Sequence, residues 1–266
     1  KRYLGKRNKN IAINHSKMLS KAQVSLINSL KNKKFRKEHQ LFIVEGIKSV
    51  QEFINSSYQF EAIYATEEAV TKLGKIPQNI KLELISSKDF DKITQLTHPQ
   101  GVLALLKIPQ NNTDASYIYA EDKHILALDN IQDPGNLGTI IRTAEWFGIR
   151  HILCSVDTVD AYNPKVVQAT MGSLARVEIL YIDLVAFINQ YSGKKFGALL
   201  EGSSIYEVDF GHGGLIILGN EGNGISGEII NLIDEAVTIP RIGQAESLNV
   251  AVASTVFCSE ITRRKS

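Results

Sequence analysis

The sequence predicts an α/β protein, with a small α/β domain followed by a larger one built on a mainly parallel sheet. Three observations predict it. From residue 124 onward, short apolar, β-branched runs alternate with helical patterns, as strands joined by helical crossovers do. Before residue 107, a shorter set of such runs follows a basic helix. Between them Pro109, Asn111, Asn112, Thr113 and Asp114 gather in residues 108–123, which reads as a linker. At 266 residues, 44% of them hydrophobic, the chain can bury a sizeable core without disulfides or metals.

In chain order, Ser20 can cap a helix running to about Lys31, with Val24, Ile27 and Leu30 on one stripe. Leu41 to Val44 reads as a strand, and Glu45 to Ile54 as a helix carrying Ile47, Val50 and Ile54. Strands at 60–65 and 81–85 follow, then a short helix capped by Ser87 and a uniformly apolar strand at 101–107. In the larger domain, strands are expected at 124–129, 151–154, 177–181, 195–200, 215–219 and 236–239. Helices are expected at 136–147, 164–172, 183–191, 226–234 and 248–263. Trp146 and Phe147, on the first of these helices, read as core residues.

The net charge of +2 conceals an asymmetry. Residues 1–40 carry twelve Lys and Arg against one acid, Glu38, while the remainder is −9. Lys31, Lys33, Lys34, Arg36 and Lys37 form the densest cluster. A basic arm on an acidic body points to a polyanionic partner, and nucleic acid suits it. Cys154 and Cys258 lie in apolar stretches, which excludes a disulfide scaffold and suggests a reducing, cytoplasmic compartment. The six histidines show no zinc spacing, so no metal is expected. No apolar run approaches the ~20 residues that span a bilayer, so no membrane partner is expected. No apolar h-region follows the basic start, which argues against a secretory signal.

Three stretches carry the chemistry, each placed where a strand ends. The first, Asp129 to Arg142, leaves a strand, turns at Pro134-Gly135 and enters a helix for which Asn136 suits the N-cap. The second, Leu215 to Ser226, runs from an apolar strand into a turn with Gly219, Gly222 and Gly224, and Ser226 caps the helix that follows. These glycines miss the dinucleotide spacing, no Gly-Lys-Ser/Thr ending is present, and Glu221 would repel a pyrophosphate. An uncharged or cationic ligand held by backbone groups fits better. The third, Val237 to Ala253, passes from a strand through Ile239-Pro240 and a polar loop into a helix whose first turn holds Ser247 and Asn249.

The order, spacing and wording of these stretches resemble the SpoU (TrmH) family of RNA ribose 2′-O-methyltransferases, within the SPOUT superfamily. The resemblance spans roughly 120–266. It rests on Asn136 to Arg142, on Leu218 to Gly222, and on Ile239-Pro240 with Ser247-Leu248-Asn249-Val250. Less specifically, Phe42-Ile43-Val44-Glu45-Gly46 and the α/β pattern around it resemble the ribosomal-protein-L30e-like substrate-binding domain often joined to these enzymes. The resemblance divides the chain into a basic leader (1–17), a substrate-binding domain (18–107), the linker (108–123) and a catalytic domain (124–266).

It also implies a deep trefoil knot, formed by the turns after Leu200, after Leu218 and around Ile239 to Leu248, which nothing in periodicity suggests. It implies S-adenosyl-L-methionine as methyl donor, contacted by Gly219, Ile239 and Leu248. Asn136, Arg142, Glu221, Ser247 and Asn249 would surround the reacting group. In this scheme Asn136 and Asn249 position the ribose or each other, and Ser247 holds Arg142 or the hydroxyl. Glu221 fixes its loop or orients Arg142. Arg142 is either the general base or a bidentate phosphate clamp, and the clamp asks less of a group that keeps its proton above pH ~12. The family works as homodimers. The small residues Val250 to Ser254 suit close helix packing between copies, or equally an internal helix contact. Ribosomal RNA is the expected substrate; transfer RNA, or RNA binding without catalysis, stays open.

Overall fold

The computed structural model describes residues 18–110 and 123–263. The leader at 1–17 and residues 111–122 of the expected linker lie outside the described residues.

The first domain opens with α1 (Lys21–Ser29), where Ser20 Oγ accepts the Gln23 N–H and the Gln23 side chain accepts the Ser20 N–H, a reciprocal capping box. Next comes α2 (Lys33–His39), which the pattern did not predict because its one buried side chain is the charged Arg36. The chain continues through β1 (Leu41–Glu45), α3 (Ile47–Ile54) and β2 (Phe60–Ala65). A second unpredicted helix, α4 (Glu67–Leu73), starts at Thr66, whose hydroxyl caps it. β3 (Leu82–Leu84), α5 (Ser87–Phe90) and β4 (Val102–Lys107) complete the domain, with Ser86 rather than Ser87 capping α5. The sheet runs β1-β4-β2-β3, with β4 antiparallel to both neighbours.

The second domain holds every strand expected of it. They are β5 (His124–Leu128), β6 (His151–Ser155), β7 (Glu178–Ile182), β8 (Lys195–Ser204), β9 (Gly214–Leu218) and β10 (Glu235–Thr238). The helices are α6 (Pro134–Trp146), α7 (Pro164–Ala169), α8 (Leu184–Gln190), α9 (Gly227–Ile230) and α10 (Val250–Arg263). The sheet is parallel throughout, in the order β10-β8-β9-β5-β6-β7. Alternate residues go to opposite faces: Leu126 and Leu128 pack with Leu137, Ile140 and Phe257, while Ile125 and Ala127 pack with Leu184, Ile188 and Ile229. Burial on both faces explains the continuous apolar strands. Order reverses between β9 and β5, and the polar turns of the three stretches gather at the carboxyl edge around this point.

Three local expectations are corrected. Trp146 is 81% exposed, while Phe147 packs partly into the core. Strand β8 runs on past Leu200 to Ser204, but its pairing with β10 is interrupted there: Gly197 pairs with Ala236, Ser203 pairs with the very next residue, Val237, and residues 198–202 lie between. The interruption leaves Leu200 74% exposed, with its carbonyl accepting from Thr238 Oγ1 at 2.9 Å. Helix α9 is a single turn, so the segment read as helix to 234 ends early.

The two domains share one core. Phe42, Val44, Val50 and Phe53 belong to the same buried cluster as Tyr162, Val166 and Leu174, and the Phe42 and Tyr162 rings lie 4.8 Å apart. Arg36, expected in the exposed basic cluster, is only 2% exposed and pairs with Asp160 of the second domain at 2.6 Å.

Candidate functional site

The first turn is built by Asp133 rather than Asn136. Asp133 Oδ1 caps α6 by accepting the Asn136 N–H at 2.8 Å, and Pro134 opens the helix where its missing N–H costs nothing. Asn136 is thereby freed as a third-position residue whose side chain points out of the helix start.

The second turn folds on itself. Asn220 and Gly224 exchange backbone hydrogen bonds at 2.9 Å, and Asn220 Oδ1 accepts the N–H groups of Gly222 and Asn223. Asn220 Nδ2 donates to the Asn130 carbonyl at 2.7 Å, so the turn is tied to the end of β5. Gly219 is required here by the chain itself: a Cβ would lie 2.2 Å from Gly224 C and Ile225 N. Gly202 serves the interruption in β8 in the same way, since a Cβ there would lie 2.3 Å from the Ala236 carbonyl oxygen. Ser226 stands at the α9 cap without a capping side-chain bond; Asp129 Oδ2 accepts its N–H at 2.7 Å instead.

The three turns meet through side chains. Asn136 Nδ2 donates to Glu221 Oε1 at 3.0 Å, and Asn249 Nδ2 donates to Asn136 Oδ1 at 2.9 Å. Glu221 also accepts the N–H groups of Gln132 and Asp133, each at 3.3 Å. Burial pushes the Glu221 carboxyl up, but the hydrogen bonds from Asn136, Gln132 and Asp133 outweigh it and hold the group below its ordinary 4.5. Glu221 is therefore a carboxylate at neutral pH. Asn249 Oδ1 in turn accepts from Ala251 N at 2.9 Å and caps α10, so this helix starts later than the sequence suggested.

Arg142 and Ser247 are not joined to this chain of hydrogen bonds. Both are exposed, and among the described residues no hydrogen bond or ion pair holds either side chain. Six residues of helix separate Arg142 from Asn136, about 240° around the axis, so the two leave α6 on different sides. Arg142 instead shares an exposed stripe with Gly135, Thr139 and Trp146. Beside it, α10 exposes Val252 and Thr255, and Thr143 Oγ1 lies 3.3 Å from Thr255 Oγ1. Ile239 packs partly against the core after β10; Leu248 is 51% exposed at the end of the exposed loop 241–249.

Spanning the switch point at the ends of β9, β5, β6 and β7, a crevice of about 570 Å³ is lined by Asp129, Asp157, Asp183, Asn220 and Glu228, among others. Carboxylates there oppose the phosphates that a nucleotide would bring.

Sequence reasoning missed the supports of the site: Asn220, Asp133, and the hydroxyls of Ser155 at the end of β6 and Thr158 in the loop after it, which brace the first turn. The Asp-Pro-Gly run marks a helix start at Asp133, and Asn220 before a glycine-rich turn marks an Asx turn. The Ser155 and Thr158 hydroxyls carry no local signal.

A doubly wound parallel sheet, with polar turns from three chain segments meeting at its carboxyl edge, is the class of α/β protein that binds its ligands at that edge. Residues 123–259 match the model of the SpoU rRNA Methylase family, and residues 21–104 match the MRM3-like substrate binding domain. The chain belongs to the SpoU rRNA methylase family. It is 30% identical over 233 residues to the 23S rRNA (guanosine(2553)-2′-O)-methyltransferase RlmP of Bacillus subtilis, covering 86% of this chain and 91% of that protein. Among solved structures, a TrmH-family protein from Porphyromonas gingivalis is 37% identical with a TM-score of 0.82, covering 93% of this chain and all of that one. The AdoMet-bound rRNA methyltransferase from Sinorhizobium meliloti is 28% identical with a TM-score of 0.80, covering 91% of this chain and 94% of that one.

Proposed function

We propose that this protein transfers a methyl group from S-adenosylmethionine to a ribose 2′-hydroxyl of ribosomal RNA. The observation that carries the reading is the Glu221–Asn136–Asn249 chain, which draws the three family motifs into one site. The donor, when bound, supplies a methyl group on a sulfonium cation. The residues present fit it: an ionised Glu221 suits a cation, and the 219–224 turn and exposed 241–249 loop offer backbone groups without a phosphate cradle. Gly219, Ile239 and Leu248 are the residues assigned to contact it. The turns after Leu200, after Leu218 and around Ile239 to Leu248 are the segments assigned to the knot.

The hydroxyl must lose its proton during attack. Asn136 and Asn249 hold each other, which leaves them a fixed polar edge for the ribose. Glu221 holds the first turn in place through the hydrogen bonds it accepts. Arg142 clamps a substrate phosphate, and Ser247 lies on the loop that would meet the hydroxyl. Since Arg142 faces away from Asn136 within one copy, pairing of two copies through the α6–α10 face would bring it to a reaction centre. The exposed Trp146 and Val252 support such a homodimer. Ribosomal RNA is favoured over transfer RNA by the matched substrate-binding domain and by the relatives' named substrates. The exposed Lys31, Lys33, Lys34 and Lys37 supply phosphate contacts. Among the described residues no helix is long and apolar enough to cross a membrane. The two buried free thiols favour the cytoplasm.

Mapping 2′-O-methylated positions in cellular RNA with and without the gene tests the reading. One ribosomal ribose losing its methyl group is expected; an unchanged ribosomal map with a lost transfer-RNA methylation would replace the substrate.

A further inference from the structure

Among the described residues two arginines form ion pairs between the domains: Arg176, which also bonds Glu145 on α6, and Arg36, which leads through the loop after β6 to the first turn. Arg176 reaches Glu52 at 2.5 Å and Glu145 at 2.9 Å, but it is 44% exposed. Arg36 is buried. Its Nε and Nη2 donate to Asp160 Oδ2 at 2.9 and 2.6 Å, and its Nη1 donates to the Leu30 and Lys31 carbonyls at 2.8 and 2.9 Å. One guanidinium thus locks the junction of α1 and α2 to the loop that follows β6. A fixed fork bonded to three groups in different directions defines a position as well as supplying attraction.

The same loop braces the first motif. Ser155 Oγ accepts the Asn130 N–H at 2.9 Å, and Thr158 Oγ1 accepts the Ile131 N–H at 3.2 Å. Val159 N donates to the Ile131 carbonyl at 2.8 Å, and Gln132 Nε2 donates to the Asp157 carbonyl at 2.7 Å. Tyr181 pins the loop from below by donating to the Val159 carbonyl at 2.6 Å and accepting the Ala161 N–H at 2.7 Å. Gln132 and the adjacent Asp133 then donate to Glu221, the carboxylate that holds Asn136. On the other side, the exposed lysines 31, 33, 34 and 37 flank Arg36 in sequence. Groups suited to hold RNA phosphates and groups suited to hold the reacting ribose are therefore linked by one short, hydrogen-bonded path.

We infer that Arg36 and Asp160 are positioning residues: their buried pair sets the register between the RNA-holding domain and the catalytic turns, and so selects which ribose reaches the site. The inference rests on the methyltransferase reading above.

The test replaces both charges at once, as Arg36→Met with Asp160→Leu. An apolar pair of similar bulk removes both charges together, whereas removing one partner strands the other. Because the Leu30 and Lys31 carbonyls and the Tyr162 N–H lose their partners too, thermal unfolding is measured alongside, and transfer is compared well below Tm. Asp160→Glu is the second variant, keeping the charge but adding one methylene. Arg176→Gln is the control, removing the exposed interdomain pair that touches no part of the β6 loop. Donor affinity, RNA affinity, single-turnover methyl transfer and the positions methylated are measured on the full chain. The double variant should bind donor as before and RNA within about threefold, with transfer to the wild-type ribose falling by about 10- to 100-fold, the scale of a misplacement of about 1 Å. Methyl groups should also appear on neighbouring riboses. Asp160→Glu should lie between it and the wild type, and Arg176→Gln should match the wild type. Wild-type transfer to the same single ribose by the double variant would overturn the inference, as would an equal loss in Arg176→Gln or a loss of donor binding in the double variant. If the wild-type protein itself methylates no ribose, the methyltransferase reading fails instead.

Discussion

Replacing Gly219 by alanine places a methyl group where the chain already is. The new Cβ would lie 2.2 Å from both Gly224 C and Ile225 N, and 2.4 Å from the Gly224 oxygen. Unbonded heavy atoms prefer about 3.5 Å, so the backbone at 224–225 must withdraw by about 1.3 Å. All three obstructing atoms belong to the main chain, and no side-chain rotation relieves them. Overpacking of this kind costs about 1–3 kcal/mol, which in a protein of this size lowers Tm by about 2–5 °C. The functional cost is larger. The 220–224 turn carries Glu221, whose hydrogen bonds from Gln132 and Asp133 are already 3.3 Å long, and a shift above 1 Å breaks them. Asn136 then loses its anchor, and transfer should fall by about 100-fold. Single-turnover methyl transfer and calorimetry with S-adenosylhomocysteine read the two effects. Gly222→Ala is the control in the same turn, because its Cβ would meet only Asn220 Oδ1, at 3.6 Å. Equal behaviour of the two variants would refute the claim that the turn's shape, fixed by Gly219, sets the site.

Neutralising Lys31, Lys33, Lys34 and Lys37 together, with Arg36 left in place, should weaken binding to many RNAs alike. The slope of log affinity against log salt should flatten by about 0.7–0.9 for each phosphate that is no longer neutralised, and an unchanged slope would make the cluster a solvated face. Burial pushes the Cys154 thiol up, and burial likewise raises Cys258 to about 12, so neither should react with iodoacetamide at pH 8 until the protein is unfolded. Rapid labelling of the native protein would contradict that packing. Because the folded protein holds Glu221 below its ordinary 4.5, its carboxylate contributes stability above that value and loses it as pH falls through the folded pKa. The stability difference between wild type and Glu221→Gln should hold steady from neutrality to about pH 5 and shrink only in more acid solution. A difference that vanished near pH 7 would contradict the assigned hydrogen bonds.

Much of this architecture was legible because the forces that make it are local. The strands of the second domain are buried on both faces, so Ile125 to Leu128 and Leu215 to Leu218 read as continuous apolar runs. The helix cap at Ser20 was visible for the same reason, since a capping box lies within four residues. What escaped depends on partners distant in sequence. Helix α2 has no apolar stripe, because the residue it buries is Arg36 and the partner is Asp160, 124 residues away. Trp146 looked like core from its composition, yet α6 turns it outward. The interruption after Gly197 is set by where β10 pairs, which no pattern in β8 records. In the site, motif order brought Asn136, Glu221 and Asn249 forward, but not the Ser155 and Thr158 hydroxyls behind them, which act through space.

Methyl transfer to a ribose 2′-hydroxyl, with Arg142 clamping the substrate, is read by incubating ribosomal RNA from cells lacking the gene with the protein and S-adenosylmethionine, then digesting the RNA completely and quantifying its nucleosides. The account predicts a new 2′-O-methyl nucleoside, with no methylated base. In parallel, Arg142→Ala should bind donor as tightly as wild type while transferring about 30- to 1000-fold more slowly, the effect of removing a bidentate interaction worth roughly 2–4 kcal/mol. Methyl groups on bases rather than riboses, or near-normal transfer by Arg142→Ala, would contradict it.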